Sequence, residues 1–285
     1  MTDFHHLLPQ CQRFLEFGAE KRVAEIQNDS RWVDHPQAET VFKTVDNMLA
    51  IPSGGQAPCL LVCGDGGTGK SSIIRRLRSF PKFRDQLIYV DLAKNDSIVR
   101  VPKLIAEALG APYELMQPGR YESSTPVEID QILKLRKIKG IVLDELHDAF
   151  LVPRAEQQRN LSFIKGLTNY PNGISVFGFG TLSANNSIKS DPQFYRRFSV
   201  VKLSDWSDSS EFRSFLLGLE CQLPIKKPSF LDSEDISGFI LERTGGRMDA
   251  VVKLLRAAAC YAIRGGEEQI TIGVLKKAFS DPWGY

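Results

Sequence analysis

What this sequence lacks narrows it first. Nowhere do about eighteen apolar residues run together, so no segment is long and apolar enough to span a bilayer as a helix. Residues 1–9 have neither a basic start nor an apolar run after it, which predicts no secretory leader and a cytoplasmic protein with no membrane partner. An excess of one charge is also missing. Thirty-six Lys and Arg face 34 Asp and Glu, a net of +2, so a polyanion would have to be met by a local basic patch. The five cysteines, Cys11, Cys59, Cys63, Cys221 and Cys260, are scattered. Cys59 and Cys63 are spaced too widely for a zinc knuckle and have no His or Cys nearby, so they read as core thiols. Internal repeats and low-complexity tracts are absent too. What remains is 285 residues, 42% hydrophobic and 25% charged, with room for one large α/β domain or a large domain plus a small one.

The densest information lies in Gly64-Asp65-Gly66-Gly67-Thr68-Gly69-Lys70-Ser71. Before it, Cys59-Leu60-Leu61-Val62-Cys63 is short and wholly apolar, as a buried parallel strand is; after it, Ile73, Ile74 and Leu77 recur at helical spacing among arginines. Strand, GxxxxGK[ST] and helix together are the context a phosphate-binding loop needs. Glycines let backbone N–H groups turn inward, and the helix start adds its positive dipole end. Residues 64–72, Ser72 included, are therefore the candidate ATP-binding loop. Lys70 would meet the β- and γ-phosphates, and the Ser71 hydroxyl would ligate Mg²⁺.

A second signal is Gly140-Ile141-Val142-Leu143-Asp144-Glu145, an apolar strand ending in two acids. Asp144 suits the water shell of the same Mg²⁺, and Glu145 suits polarising a water in line with the γ-phosphate. Ile174-Ser175-Val176-Phe177-Gly178-Phe179-Gly180-Thr181 reads as a further strand. Thr181 at its end either touches the attacking water or the γ-phosphate, or starts the next helix as its cap. Arg196-Arg197-Phe198 precedes a last strand at Val200-Val201; two arginines there read as a solvated rim or as residues reaching a neighbour's γ-phosphate.

Strands at residues 87–90, 141–143, 174–177 and 200–203 alternate with helical patterns, which predicts a parallel sheet covered on both faces. From about residue 207 only helical patterns remain. The expected organisation is an N-terminal helical segment over 1–50, an α/β core over 51–206, and a helical lid with an aromatic tail over 207–285. That tail, Phe279 to Tyr285, either docks a partner or folds back on the lid.

The order of these features resembles an AAA+ ATPase, and more narrowly the TniB/TnsC family of transposition ATPases. The supporting segments are Arg31-Trp32-Val33 with His35-Pro36, Leu143-Asp144-Glu145-Leu146-His147-Asp148, Gln157-Gln158-Arg159, Phe177-Gly178-Phe179-Gly180-Thr181, Asp191-Pro192-Gln193 before Arg197-Phe198, Leu223-Pro224, Thr244-Gly245-Gly246-Arg247 and Ala257-Ala258-Ala259; Arg31-Trp32, Gly180-Thr181 and Asp191-Pro192-Gln193 with Arg197-Phe198 are what narrow it. The resemblance implies a five-stranded sheet in the order 5-1-4-3-2, Thr181 as sensor 1 and Arg197 rather than Arg196 as arginine finger. It also implies that residues 31–36, with Trp32 and His35, pack near the adenine. Asp249 stands where many relatives carry a sensor-2 arginine, and Arg247 is the nearest cation. ATP and Mg²⁺ are the implied cofactors. The implied partners are duplex DNA, copies of the same chain in a ring or filament, a transposase and a TniQ-like adaptor. Lys94, Arg100 and Lys103 fall in the region that faces DNA in this family; otherwise they form a solvated helix face. Lys134, Arg136, Lys137 and Lys139 read as a solvated helix end. Two rivals stay open at this level, a P-loop phosphotransferase and a nucleotide switch that recognises only proteins.

Overall fold

A computed structural model describes residues 4–28, 31–52, 55–94, 98–112, 127–169, 173–189 and 191–285. The chain divides into two units, Gln37–Ser204 and a second made of the described residues up to Pro36 with Asp205–Tyr285.

The first unit is built on a five-stranded parallel sheet. Its strands are β1 (Cys59–Cys63), β2 (Leu87–Asp91), β3 (Gly140–Asp144), β4 (Ser175–Gly180) and β5 (Phe198–Lys202), in the order β2-β3-β4-β1-β5. This is the expected 5-1-4-3-2 order read from the other edge. The three inner strands carry the most apolar runs because both of their faces are covered. Every residue of β1 and β4 is buried, whereas on the edge strand β5 only Phe198 is. Helices Lys70–Ser79, Val101–Leu109, Val127–Leu135, Arg154–Thr168 and Leu182–Lys189 follow or separate the strands. Val101, Ile105, Ile164, Leu167, Ala184 and Ile188 join β1, β3 and β4 in one core. Pairing is in register to the strand ends, with Cys63 opposite Gly180 and Asp91 opposite Asp144.

The glycines of β4 have a packing reason. A Cβ on Gly178 would lie 2.3 Å from Leu146, so the turn after β3 seats its leucine directly on the strand. Phe177 and Phe179, on either side of it, point to the opposite face of the sheet and are fully buried there.

The second unit is helical. Its helices are Ala19–Gln27, Ser210–Glu220, Glu234–Thr244, Met248–Arg264 and Ile272–Ser280. Residues 257–263 of the long helix are buried without interruption, which marks it as the axis of the unit. Side chains of Ser209 and Thr271 cap two of the helices. Glu220, itself buried, accepts from the N–H groups of Ser229, Phe230 and Leu231 at 2.5, 3.1 and 2.8 Å and so fixes the turn after its helix. The N-terminal helix is stapled to this unit. Arg22, 3% exposed, donates twice to Glu268 and once to the carbonyl of Pro224. The tail folds back, as one of the two sequence readings had it. The Tyr285 ring meets Tyr261 edge-on, and its carbonyl accepts from Arg264, while Trp283 stays 80% exposed.

All five cysteines are free, and four are buried; burial pushes the Cys59 thiol up to about 12, which suits an inert core residue. Among the described residues no helix is long and apolar enough to cross a membrane.

Candidate functional site

At the C-terminal edge of the sheet, the ends of β1, β4 and β3 stand side by side, and the sequence motifs sit on those ends. β1 runs into the glycine loop. Gly67 and Gly69 take φ of 82° and 92°, a left-handed backbone that a side chain would strain, and the helix begins at Lys70. Gly64 is required by space: a Cβ there would lie 2.8 Å from the Leu203 carbonyl and 2.8 Å from Thr68 Oγ1. Thr68 closes the loop by donating to the Asp65 carbonyl at 2.9 Å. Lys70, 7% exposed, curls back over the loop and donates from Nζ to the carbonyls of Gly64 and Asp65, both at 2.8 Å. Burial pushes its ammonium below the ordinary lysine value, against the pull of Glu145, Asp144 and Asp65. Asp65, Gly66 and Ser71 are exposed, and Ser72 is half-buried.

At the end of β3, Asp144 is half-buried and accepts from the N–H of Glu145 at 2.9 Å. Burial pushes its carboxyl up, the N–H of Glu145 works against that, and the carboxylates of Glu145 and Asp91 add to it. Glu145 has a left-handed backbone, φ 53° and ψ 43°, an uncommon conformation for a residue with a side chain. The strain turns the chain sharply out of the strand. Glu145 Oε2 then lies 3.2 Å from Nδ1 of His147, and Nε2 of the same ring lies 3.5 Å from Asp148. Thr181 follows β4 and shares a 2.6 Å hydrogen bond with the Ser183 hydroxyl at the start of the next helix.

These residues fit a nucleoside triphosphate with its divalent ion. The turned glycine loop supplies N–H donors, and Lys70 supplies a cation now resting on loop carbonyls that phosphate oxygens could replace. Ser71 and Asp144 are the side chains that could hold Mg²⁺. An ion of that kind keeps waters and phosphate oxygens as its other ligands. Among the described residues no cluster of three or more His, Cys, Asp or Glu forms a closed metal cage.

Trp32 and His35 belong to the helical unit, where His35 lies within an aromatic group of Trp32, Trp206 and Phe215, at 5.7, 5.8 and 6.0 Å between ring centres. Burial pushes His35 down to about 4, slightly countered by Asp34. Arg247 donates to both carboxylate oxygens of Asp205, at 2.7 and 3.1 Å. Arg197, the expected finger, has its guanidinium engaged within its own chain. It donates to the Lys165 carbonyl at 3.2 Å and to Thr168 Oγ1 at 2.5 Å, and the Gln56 amide oxygen accepts from it as well. The last turn of a helix has carbonyls without helical partners, and Arg197 meets one there. Arg196 beside it is exposed.

Arg100 and Lys103 are half-matched by acids, with Glu156 3.8 Å from the first and Glu107 3.7 Å from the second. Lys94 ends the short turn after β2. A residue that sequence reading missed joins this region to the end of β3. Asn160 is fully buried, accepts from the N–H of Val101 at 3.1 Å, and donates to the carbonyls of Val99 and Ala149 at 2.9 and 3.0 Å. Its only trace in the sequence is a polar residue on the buried face of a helix.

Comparison with known structures agrees with this architecture. The ORC1 protein of Aeropyrum pernix, solved in complex with DNA, is 19% identical with a TM-score of 0.60, over 91% of this chain and 69% of that one. CDC6P of Pyrobaculum aerophilum is 19% identical at 0.62, over 90% and 69%. A mutant of Thermotoga maritima RuvB is 13% identical at 0.55, over 87% and 70%. These likenesses are of fold, that of the AAA+ P-loop ATPases. No curated protein matches the sequence. The model of the bacterial TniB protein matches residues 22–208, from the stapled N-terminal helix through the whole sheet. With that match over well more than half its length, and with both motifs on the ends of strands that flank β4 in an AAA+ sheet, the chain belongs to the TniB family.

Proposed function

We propose that this protein is an ATP-hydrolysing regulator of DNA transposition. In this reading it assembles with copies of itself on duplex DNA, marks that DNA for a transposase, and uses hydrolysis to time assembly and release. The observation that carries the catalytic part is the convergence of Lys70, Asp144, Glu145 and Thr181 on three neighbouring strand ends. Family membership and the likeness to an ORC1 protein solved with DNA support the rest.

Ser71 and Asp144 would hold Mg²⁺, which would supply charge neutralisation at the phosphates; the protein's own residues do the remaining work. Loop N–H groups and Lys70 hold the phosphates. Glu145, an acceptor on a sharply turned backbone, takes the proton of the attacking water, and Thr181 orients that water. Arg197 would serve as the arginine finger, exchanging its contacts with Lys165 and Thr168 for a neighbouring protomer's γ-phosphate, with the exposed Arg196 beside it as the alternative. Contacts to DNA would come from Lys94, Arg100 and Lys103. Each protomer then needs only a few phosphate contacts, because many protomers share one duplex. A TniQ-like adaptor is a further candidate partner.

The test is ATP hydrolysis without any acceptor, with and without random-sequence duplex. DNA-stimulated release of phosphate, lost in Arg197→Ala while nucleotide binding is kept, supports the reading. No turnover without an acceptor favours a phosphotransferase. Turnover indifferent to DNA, with no mobility shift of duplex in a non-hydrolysable ATP analogue, favours a protein-only switch.

A further inference from the structure

His147 lies next to the proposed base and is not used by the mechanism above. Its ring is mostly buried, 19% exposed, and stands between two carboxylates, Glu145 at 3.2 Å from Nδ1 and Asp148 at 3.5 Å from Nε2. Nδ1 is fully buried and has no aligned hydrogen-bond partner, although the Glu145 oxygen is within reach. A buried ring nitrogen left in that state costs free energy that a small rotation of either side chain would recover. The end of β4 passes close beside the ring: the backbone N and Nδ1 of His147 stand 3.4 and 3.6 Å from where a Cβ on Gly180 would be. Leu146, seated over Gly178, anchors the same turn.

We propose that His147 is the positioning residue for Glu145. Donating from Nδ1 to one carboxylate oxygen, it leaves the other oxygen aimed as the proton acceptor. A carboxylate on a left-handed backbone at the exit of a strand has no neighbour on its own strand to hold it; the imidazole two residues on does so. The inference rests on the ATPase reading and adds to it the source of the base's orientation.

The test compares steady-state hydrolysis, nucleotide affinity and thermal melting in His147→Ala, His147→Gln, Glu145→Gln and the Glu145→Gln/His147→Ala double variant. His147→Ala should lower kcat on the order of ten- to hundredfold, the cost of a misaimed catalytic group. KM, nucleotide Kd and Tm should stay near the parent values. His147→Gln keeps an N–H donor on a side chain of similar reach and should regain most of the rate. In the double variant the loss should not exceed that of Glu145→Gln alone, because His147 acts through that carboxylate. An unchanged kcat in His147→Ala overturns the proposal while leaving the ATPase reading intact. So does a further proportional loss in the double variant, or a joint fall of kcat, affinity and Tm that glutamine does not rescue. Absence of hydrolysis in the parent chain overturns the ATPase reading itself, and this assignment with it.

Discussion

The sheet unit and the helical unit reach order by different routes. In the sheet unit the chemistry is local in sequence: eight consecutive residues make the phosphate loop, and two consecutive acids end β3. In the helical unit the decisive contacts join distant residues, such as Arg22 to Glu268, 246 positions apart, and Gln222 to the Trp32 carbonyl, 190 apart. Local motifs keep their geometry because short-range backbone rules enforce it. A unit built from both ends of the chain depends on a few long-range polar contacts, each of which is a point of failure. Changes in the sheet unit should therefore cost function before fold, and changes in the helical unit fold before function.

The largest effect expected is Lys70→Ala, which removes the side-chain cation lying on the loop. Nucleotide binding should vanish in a fluorescent-analogue titration while far-ultraviolet circular dichroism stays parental. A variant that binds normally would break the comparison at its strongest point.

Glu145→Gln sharpens it. Turnover should fall on the order of hundredfold or more with nucleotide affinity retained, as expected for a lost general base. Parental turnover would remove Glu145 from the mechanism.

Arg22→Ala should act the other way. It leaves the half-buried Glu268 with only Lys226 beside it, at a cost of about 3 kcal/mol, the lower end for breaking a buried pair from one side. All three tryptophans, Trp32, Trp206 and Trp283, belong to the helical unit, so their fluorescence reports that unit's unfolding directly. The urea midpoint by tryptophan emission should drop; an unchanged midpoint would show that the staple contributes nothing.

The smallest effect is a pH dependence. His35 is held at about 4 in the folded chain against an ordinary value of 6.5, so the unfolded chain binds a proton first as pH falls. The stability of the helical unit should be full above pH 6.5 and decline as pH falls to 4, by ~3 kcal/mol in all. Tryptophan-monitored urea curves at about pH 7, 5 and 4 measure it, and His35→Phe should remove most of the slope. Equal slopes in parent and variant would place the acid sensitivity elsewhere.

Much of the site was legible because strand and helix periodicities carried it. Five apolar residues before Gly64 and three before Asp144 could be read as buried strands, and the motif acids and lysine followed from phosphate chemistry. The geometry around them was not legible. Nothing in Glu145 as a residue type announces a left-handed backbone, and the hydrogen bond of Arg197 to the Lys165 carbonyl could not be read from its place before β5. Asn160 and His147 looked like ordinary polar residues, because a sequence records that a position is polar and not which buried group it satisfies.

By itself the sequence determined the parallel sheet, the phosphate loop, the paired acids and the helical C-terminal region. All of these rest on interactions between near neighbours or on the burial of repeated apolar positions. Only the tertiary structure decided that residues up to Pro36 join the C-terminal helices, that Arg197 faces its own chain, and that an imidazole borders the Glu145 carboxylate. The first two depend on which distant groups meet in a low-dielectric interior, where an unpaired charge or N–H is costly enough to fix the partner; the third depends on the left-handed turn at Glu145.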